Sequence, residues 1–142
     1  MAAISSSIRN FVFERANHCC EYCKTSRRVI GMPLVIDHVI PMSNGGTHDP
    51  ANLCASCYRC NEHKGSKTQV FDNETNVMVT LFNPRVDRWL EHFIWGDGGT
   101  HIIGLTAIGR VSVIGLRLNN PYVVESRSLW VARGWHPPLE SP

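Results

Sequence analysis

No stretch of this chain stays apolar for the roughly 18 residues that a membrane span needs, so no transmembrane helix is expected. The opening residues, Met-Ala-Ala-Ile-Ser-Ser-Ser-Ile-Arg-Asn, lack the basic start and long apolar centre of a secretory signal. The expectation is therefore a cytoplasmic protein. Net charge is small, +2 over 142 residues, and cannot by itself argue for a nucleic-acid partner. Internal repeats and low-complexity tracts are also lacking. What remains is 43% hydrophobic and 18% charged, the balance of a globular chain of about one domain's size. That length can bury a core without heavy stapling.

The charge is unevenly spread. Residues 1–68 hold eight Lys/Arg and five Asp/Glu, a balance of +3, whereas residues 69–142 hold six and seven, a balance of −1. Six cysteines are present, and with no secretion signal they read as metal ligands before they read as disulfides. Cys20 and Cys23 form one C-x-x-C pair, and spacing selects Cys20 over its neighbour Cys19. Cys57 and Cys60 form the second. Four thiolates match a closed tetrahedral Zn2+ site with no position left open for chemistry. That site adds about −2 of charge locally, so any positive field must be local as well. Cys54 breaks the spacing and reads as a core residue, Cys19 as a small buried or half-exposed thiol, and Tyr22 packs beside the first knuckle.

Thirty-three residues separate Cys23 from Cys57, longer than a simple zinc ribbon allows. Within them, Pro33 and Pro41 bracket a β-branched run, because neither can donate to a sheet ladder. Ser43-Asn44-Gly45-Gly46-Thr47 supplies turn chemistry, and Asn52 to Ala55 returns as a short strand. A helix follows from Ser56 or Cys57 to about Lys67. Upstream, Ile4, Ile8, Phe11 and Val12 predict an amphipathic helix over 4–16. Residues 24–32 read as a loop whose Lys24, Arg27 and Arg28 are either solvated or touch phosphate. Downstream, Val77 to Phe82 is rich in β-formers. Gly96-Asp97-Gly98-Gly99 reads as a hairpin turn into a strand over 101–105. Helices are expected over about 107–118, weakened by Gly109 and Gly115, and from Pro121 to Arg133, with Gly134 as its stop.

Asp37-His38 in the strand, Asn52 after the turn, Cys60-Asn61 on the helix and the two cysteine pairs occur in one order. That set, over about residues 11 to 67, resembles the HNH endonuclease family, whose active site is a ββα-metal unit. The resemblance implies an α+β fold, with a zinc-stapled nuclease domain over 1–68 and a mixed extension over 69–142. It implies metal-dependent hydrolysis of DNA phosphodiester bonds. His38 matches the general base, Asn52 the residue that holds the loop and orients the base, and Asp37 and Asn61 the ligands of a catalytic Mg2+ or Mn2+. Many relatives carry histidine where this chain has Asn61; His63, two residues on, faces another side of the helix. Strand neighbours point to opposite faces, so adjacent roles for Asp37 and His38 require a bulge or twist there.

Arg59, Lys64 and Lys67 flank the site on the helix and either bind DNA phosphates or form a solvated face. In the extension, Trp89, Trp95, Trp130 and Trp135 build a second layer of core, or a docking surface with Arg85, Arg88, Arg110 and Arg117. The alternative to an enzyme is a zinc-stapled nucleic-acid-binding module without hydrolysis.

Overall fold

A computed structural model describes residues 4–139. Among them the chain forms α1 (Ser6–Arg15), α2 (Arg27–Ile30), β1 (Val35–His38), β2 (Leu53–Ser56), α3 (Tyr58–Lys64), β3 (Gln69–Asp72), β4 (Val77–Thr80), α4 (Trp89–His92), β5 (Phe93–Gly96), β6 (His101–Gly104), α5 (Ala107–Gly115) and α6 (Pro121–Ala132). The strands make three antiparallel hairpins, β1–β2, β3–β4 and β5–β6. The fold is α+β, and β1, β2 and α3 form the expected ββα unit.

Local chemistry sets the helix boundaries. Ser5 caps α1 by accepting from the Ile8 amide at 3.2 Å. The Cys57 sulfur accepts from the Cys60 amide at 3.4 Å, so a zinc-ligand candidate is also the cap of α3. Thr106 caps α5 and Asn120 caps α6, where Pro121 supplies the first turn. Arg27–Ile30, expected as loop, makes a single helical turn because Ser26 caps it and Gly31 closes it in the left-handed region. Gly109 does not break α5. A Cβ there would lie 2.1 Å from the His92 carbonyl oxygen and 3.0 Å from the Gly104 Cα, so glycine is what lets the helix lie against the end of α4 and β6. Tertiary packing overrides propensity at that position.

One buried cluster runs through both halves of the chain. Val12, Tyr22, Leu53 and Ala55 share it with Phe82, Trp89, Phe93, Ile102 and Leu116. Polar ties cross the same boundary. The Trp89 indole donates to the Tyr22 carbonyl at 2.8 Å, and Arg85 pairs with Glu21; both partners lie between Cys20 and Cys23. Of the four tryptophans, Trp89 is buried while Trp135 is largely exposed. Arg110 pairs with Asp72 and Glu74, so neither it nor Arg85 stands free for docking.

Candidate active site and metal centre

The four cysteines converge. The Sγ atoms of Cys20, Cys23, Cys57 and Cys60 all lie within 4.8 Å of one another, and all four residues are buried. The Cys23–Cys57 separation is 3.7 Å. A tetrahedron with Zn–S bonds of about 2.3 Å has edges of about 3.8 Å, so the donor set and its spacing fit a structural zinc. Burial pushes the Cys20 thiol up, while hydrogen bonds from Cys20, Cys57 and Cys60 pull Cys23 well down. Hydrogen bonds from Cys20, Cys23 and Cys57, and then burial, push Cys60 well up; a bound dication would displace the protons that these thiols hold. Burial works against the Arg59 charge, but the surrounding cysteines outweigh it and raise its pKa. Arg59 therefore offsets charge at this centre from its half-buried place on α3.

The β1–β2 register is continuous, pairing Asp37 with Cys54 and His38 with Leu53. No residue is inserted between Asp37 and His38. The bulge that adjacent roles required is absent, because an unbroken ladder keeps the two side chains on opposite faces. Asp37 is buried. Its Oδ2 accepts from the Tyr22 hydroxyl at 2.6 Å and lies 3.2 Å from Lys64 Nζ. Burial, with Cys54 and Asp37 beside it, pushes the Tyr22 phenol well up, so it remains a donor. Cys54 is buried against the same pair, as a core thiol.

Lys64 is the clearest departure from expectation. The sequence sets it on a helix face with Arg59 and Lys67, open to phosphate or solvent. It is 1% exposed. Its ammonium donates to Asp37, to the His38 carbonyl at 3.0 Å and to the Val39 carbonyl at 3.2 Å. A buried ammonium needs a carboxylate and further acceptors, and β1 supplies both. Lys67 is exposed, with its ammonium on the His63 carbonyl. His63 turns toward the Leu116 carbonyl.

His38 lies at the end of β1, half-buried. Its Nε2 is 2.9 Å from Nδ1 of His48. Burial, and then the nearby His48, lower the His38 pKa below the usual 6.5, which favours a neutral ring at neutral pH. Asn52 ties the loop between the strands. Its Oδ1 accepts from the Ile40 amide at 2.9 Å, and its Nδ2 donates to the Ile40 and Thr47 carbonyls, both at 3.0 Å. Gly46 packs so closely that a Cβ would lie 1.7 Å from the Ile40 oxygen. Asn61 lies one turn before Lys64 on α3. Residues three apart share a helix face, so Asn61 stands on the side of α3 that carries Lys64. Its side chain has no protein partner among the described residues and is not a buried orphan.

His48 and the inward role of Lys64 were missed from sequence. The signal for His48 was its position four residues before Asn52, in a loop that Gly45-Gly46 bends back toward β1. Nothing in sequence marked Lys64 as buried, since helix period alone does not say which face a strand covers.

A family model described as HNH endonuclease matches residues 20–67. No curated protein and no solved structure matches the chain. The match begins at the first zinc-ligand candidate and ends just beyond α3. Over residues 20–67, about a third of the chain, this protein is similar to the HNH endonuclease family.

Proposed function

We propose that this protein is an endonuclease that hydrolyses DNA phosphodiester bonds with a divalent ion. The observation that carries the reading is His38, an imidazole held near an open hairpin end, within a family domain whose substrates are nucleic acids. Water attack on phosphorus needs a base working near neutral pH, and a lowered His38 pKa suits that task. His38 accepts the proton of the attacking water. Asn52 keeps the loop beside it in one shape through three hydrogen bonds. Lys67 is the cation we assign to substrate phosphates; Arg59 offsets charge at the cysteine centre and Lys64 is spent inside the fold.

The implied catalytic ion is hard, Mg2+ or Mn2+, and calls for oxygen donors. Asp37 and Asn61 would hold it. The donor types fit: Asn61 is uncommitted, and a carboxylate has about four acceptor positions, more than Tyr22 and Lys64 use. When bound, the ion would offset the charge that develops on the scissile phosphate. Two observations favour the alternative, a zinc-stapled nucleic-acid-binding module: Lys64 already neutralises Asp37, and the unbroken ladder turns Asp37 and His38 to opposite faces. The described part of the extension, residues 69–139, acts in either case as a layer of the same core, which we infer from the shared cluster. Among the described residues no helix is long and apolar enough to cross a membrane; we assign a cytoplasmic setting from the cysteines, whose thiols stay reduced for zinc there.

Incubation with supercoiled plasmid in Mg2+, Mn2+ or EDTA tests the reading. Nicked or linear product in either ion and none in EDTA is expected. Plasmid binding without cleavage in every ion would move the protein to the binding-module class.

A further inference from the structure

His48 has no part in the roles assigned above, yet it holds one ring nitrogen of His38. Two imidazole nitrogens 2.9 Å apart share a single hydrogen, one donating and the other accepting. The other nitrogen of His38, Nδ1, has no partner and is not among the buried orphan atoms of the described residues. It is therefore open to solvent, whereas Nε2 is taken. Only Nδ1 can meet a water molecule without breaking the contact between the rings.

The segment carrying His48 is fixed on both sides. Asn52 holds the Thr47 carbonyl just before it at 3.0 Å. Asp49, just after it, accepts from the Ala51 amide at 2.8 Å. Gly46 sits against the Ile40 carbonyl with no room for a side chain. The rings of His38 and His48 are tilted by 52° with centroids 5.1 Å apart, a geometry set by the hydrogen bond and not by stacking.

We propose that His48 is the positioning residue of the hydrolytic step: its Nδ1 accepts from His38 Nε2–H, which leaves the lone pair of His38 on the open Nδ1. In that tautomer the water O–H bond breaks as the new N–H bond forms at His38 Nδ1, the water oxygen bonds to phosphorus, and the P–O bond to the departing sugar oxygen breaks, that oxygen taking a proton from solvent. The same tautomer puts the His48 hydrogen on Nε2, which is buried without a protein partner; the opposite one would carry hydrogen on His38 Nδ1, which could then take no proton. A second-sphere acceptor that fixes tautomer and ring plane is worth about tenfold to a hundredfold where such partners have been removed from metal-bound imidazoles, and the same scale is expected for a base held in this way.

The inference rests on the nuclease reading, and its test separates the two. The full chain, zinc-loaded, is compared as wild type, His48→Ala and His48→Asn, the last because its Oδ1 stands close to where Nδ1 stood. With supercoiled plasmid, His48→Ala should lower kcat about tenfold to a hundredfold, with KM and half-saturating Mn2+ unchanged. His48→Asn should restore most of the loss. Nitrogen NMR of the imidazoles, read without substrate, should show His38 hydrogen on Nε2 in the wild type and a mixture of tautomers in His48→Ala. Wild-type kcat in His48→Ala, a loss that His48→Asn leaves unrepaired, or a shifted Mn2+ requirement would overturn the proposal. An inert wild type would sink the nuclease reading, and the His38 tautomer would still decide the positioning claim: hydrogen on Nδ1 refutes it.

Discussion

Lys64→Met removes one charge from a buried pair and changes little else. Methionine has nearly the same length and no ammonium. The lysine is 1% exposed and Asp37 is 4% exposed, with Nζ 3.2 Å from Oδ2. Taking away one partner leaves an uncompensated buried carboxylate and two backbone carbonyls without their donor. Such one-sided losses cost about 3–5 kcal/mol. With a urea slope of about 2 kcal/mol per molar for a chain of this size, the midpoint should fall by about 2 M. The assay is urea unfolding at fixed excess zinc, followed by tryptophan fluorescence, because Trp89 lies in the core beside the knuckle. Adding Asp37→Asn to Lys64→Met removes the stranded charge and should return most of the loss, so the double-mutant cycle should report strong coupling. A Lys64→Met protein within about 1 kcal/mol of wild type, with no coupling to Asp37, would refute the buried pair. It would also return Lys64 to the phosphate-facing role read from sequence.

Further outcomes follow from the same contacts. One Zn2+ per folded chain is expected by elemental analysis, and Cys20→Ser should unfold the domain because metal binding supplies its folding free energy; a folded, zinc-free wild type would contradict this. A chain ending at Lys67 loses Phe82, Trp89, Phe93 and Ile102 from the shared cluster. It should bind a hydrophobic dye and lose near-ultraviolet dichroism, and a native-like spectrum would show that the first half folds alone. His136 is buried against Trp95 and Trp130, where burial and then Arg127 lower its pKa to about 4. The unfolded chain therefore takes the proton first, near pH 6.5. This group leaves stability intact above about pH 6.5 and removes it as pH falls from there through about 4. His136→Phe should flatten that part of the pH–stability curve, and an unchanged slope would exclude His136 as its source.

The ββα unit was legible because each of its parts has a local cause. Prolines bracket β1, glycines permit the turn at Gly45 and Gly46, and two C-x-x-C knuckles fix the flanks. The capped helices α5 and α6 were legible for the same reason, even though Gly109 argued against α5. What could not be read was which way side chains turn once β1 and α3 meet. Asp37 and Lys64 sit 27 positions apart, and only the packed helix shows that they face each other. The continuous ladder through Asp37 and His38 likewise depends on how β2 pairs, which no local pattern states. His48 was hidden because a histidine in a turn looks like any solvated loop residue until the loop is folded back by Asn52.

The central claim is that His38 is the base of a hydrolytic site built on the hairpin. Its most direct test is plasmid cleavage by His38→Ala beside wild type, at matched zinc content and in the same Mg2+ or Mn2+. The account predicts a rate loss of about a hundredfold to ten-thousandfold, with plasmid binding nearly unchanged. Cleavage by His38→Ala at the wild-type rate would contradict it.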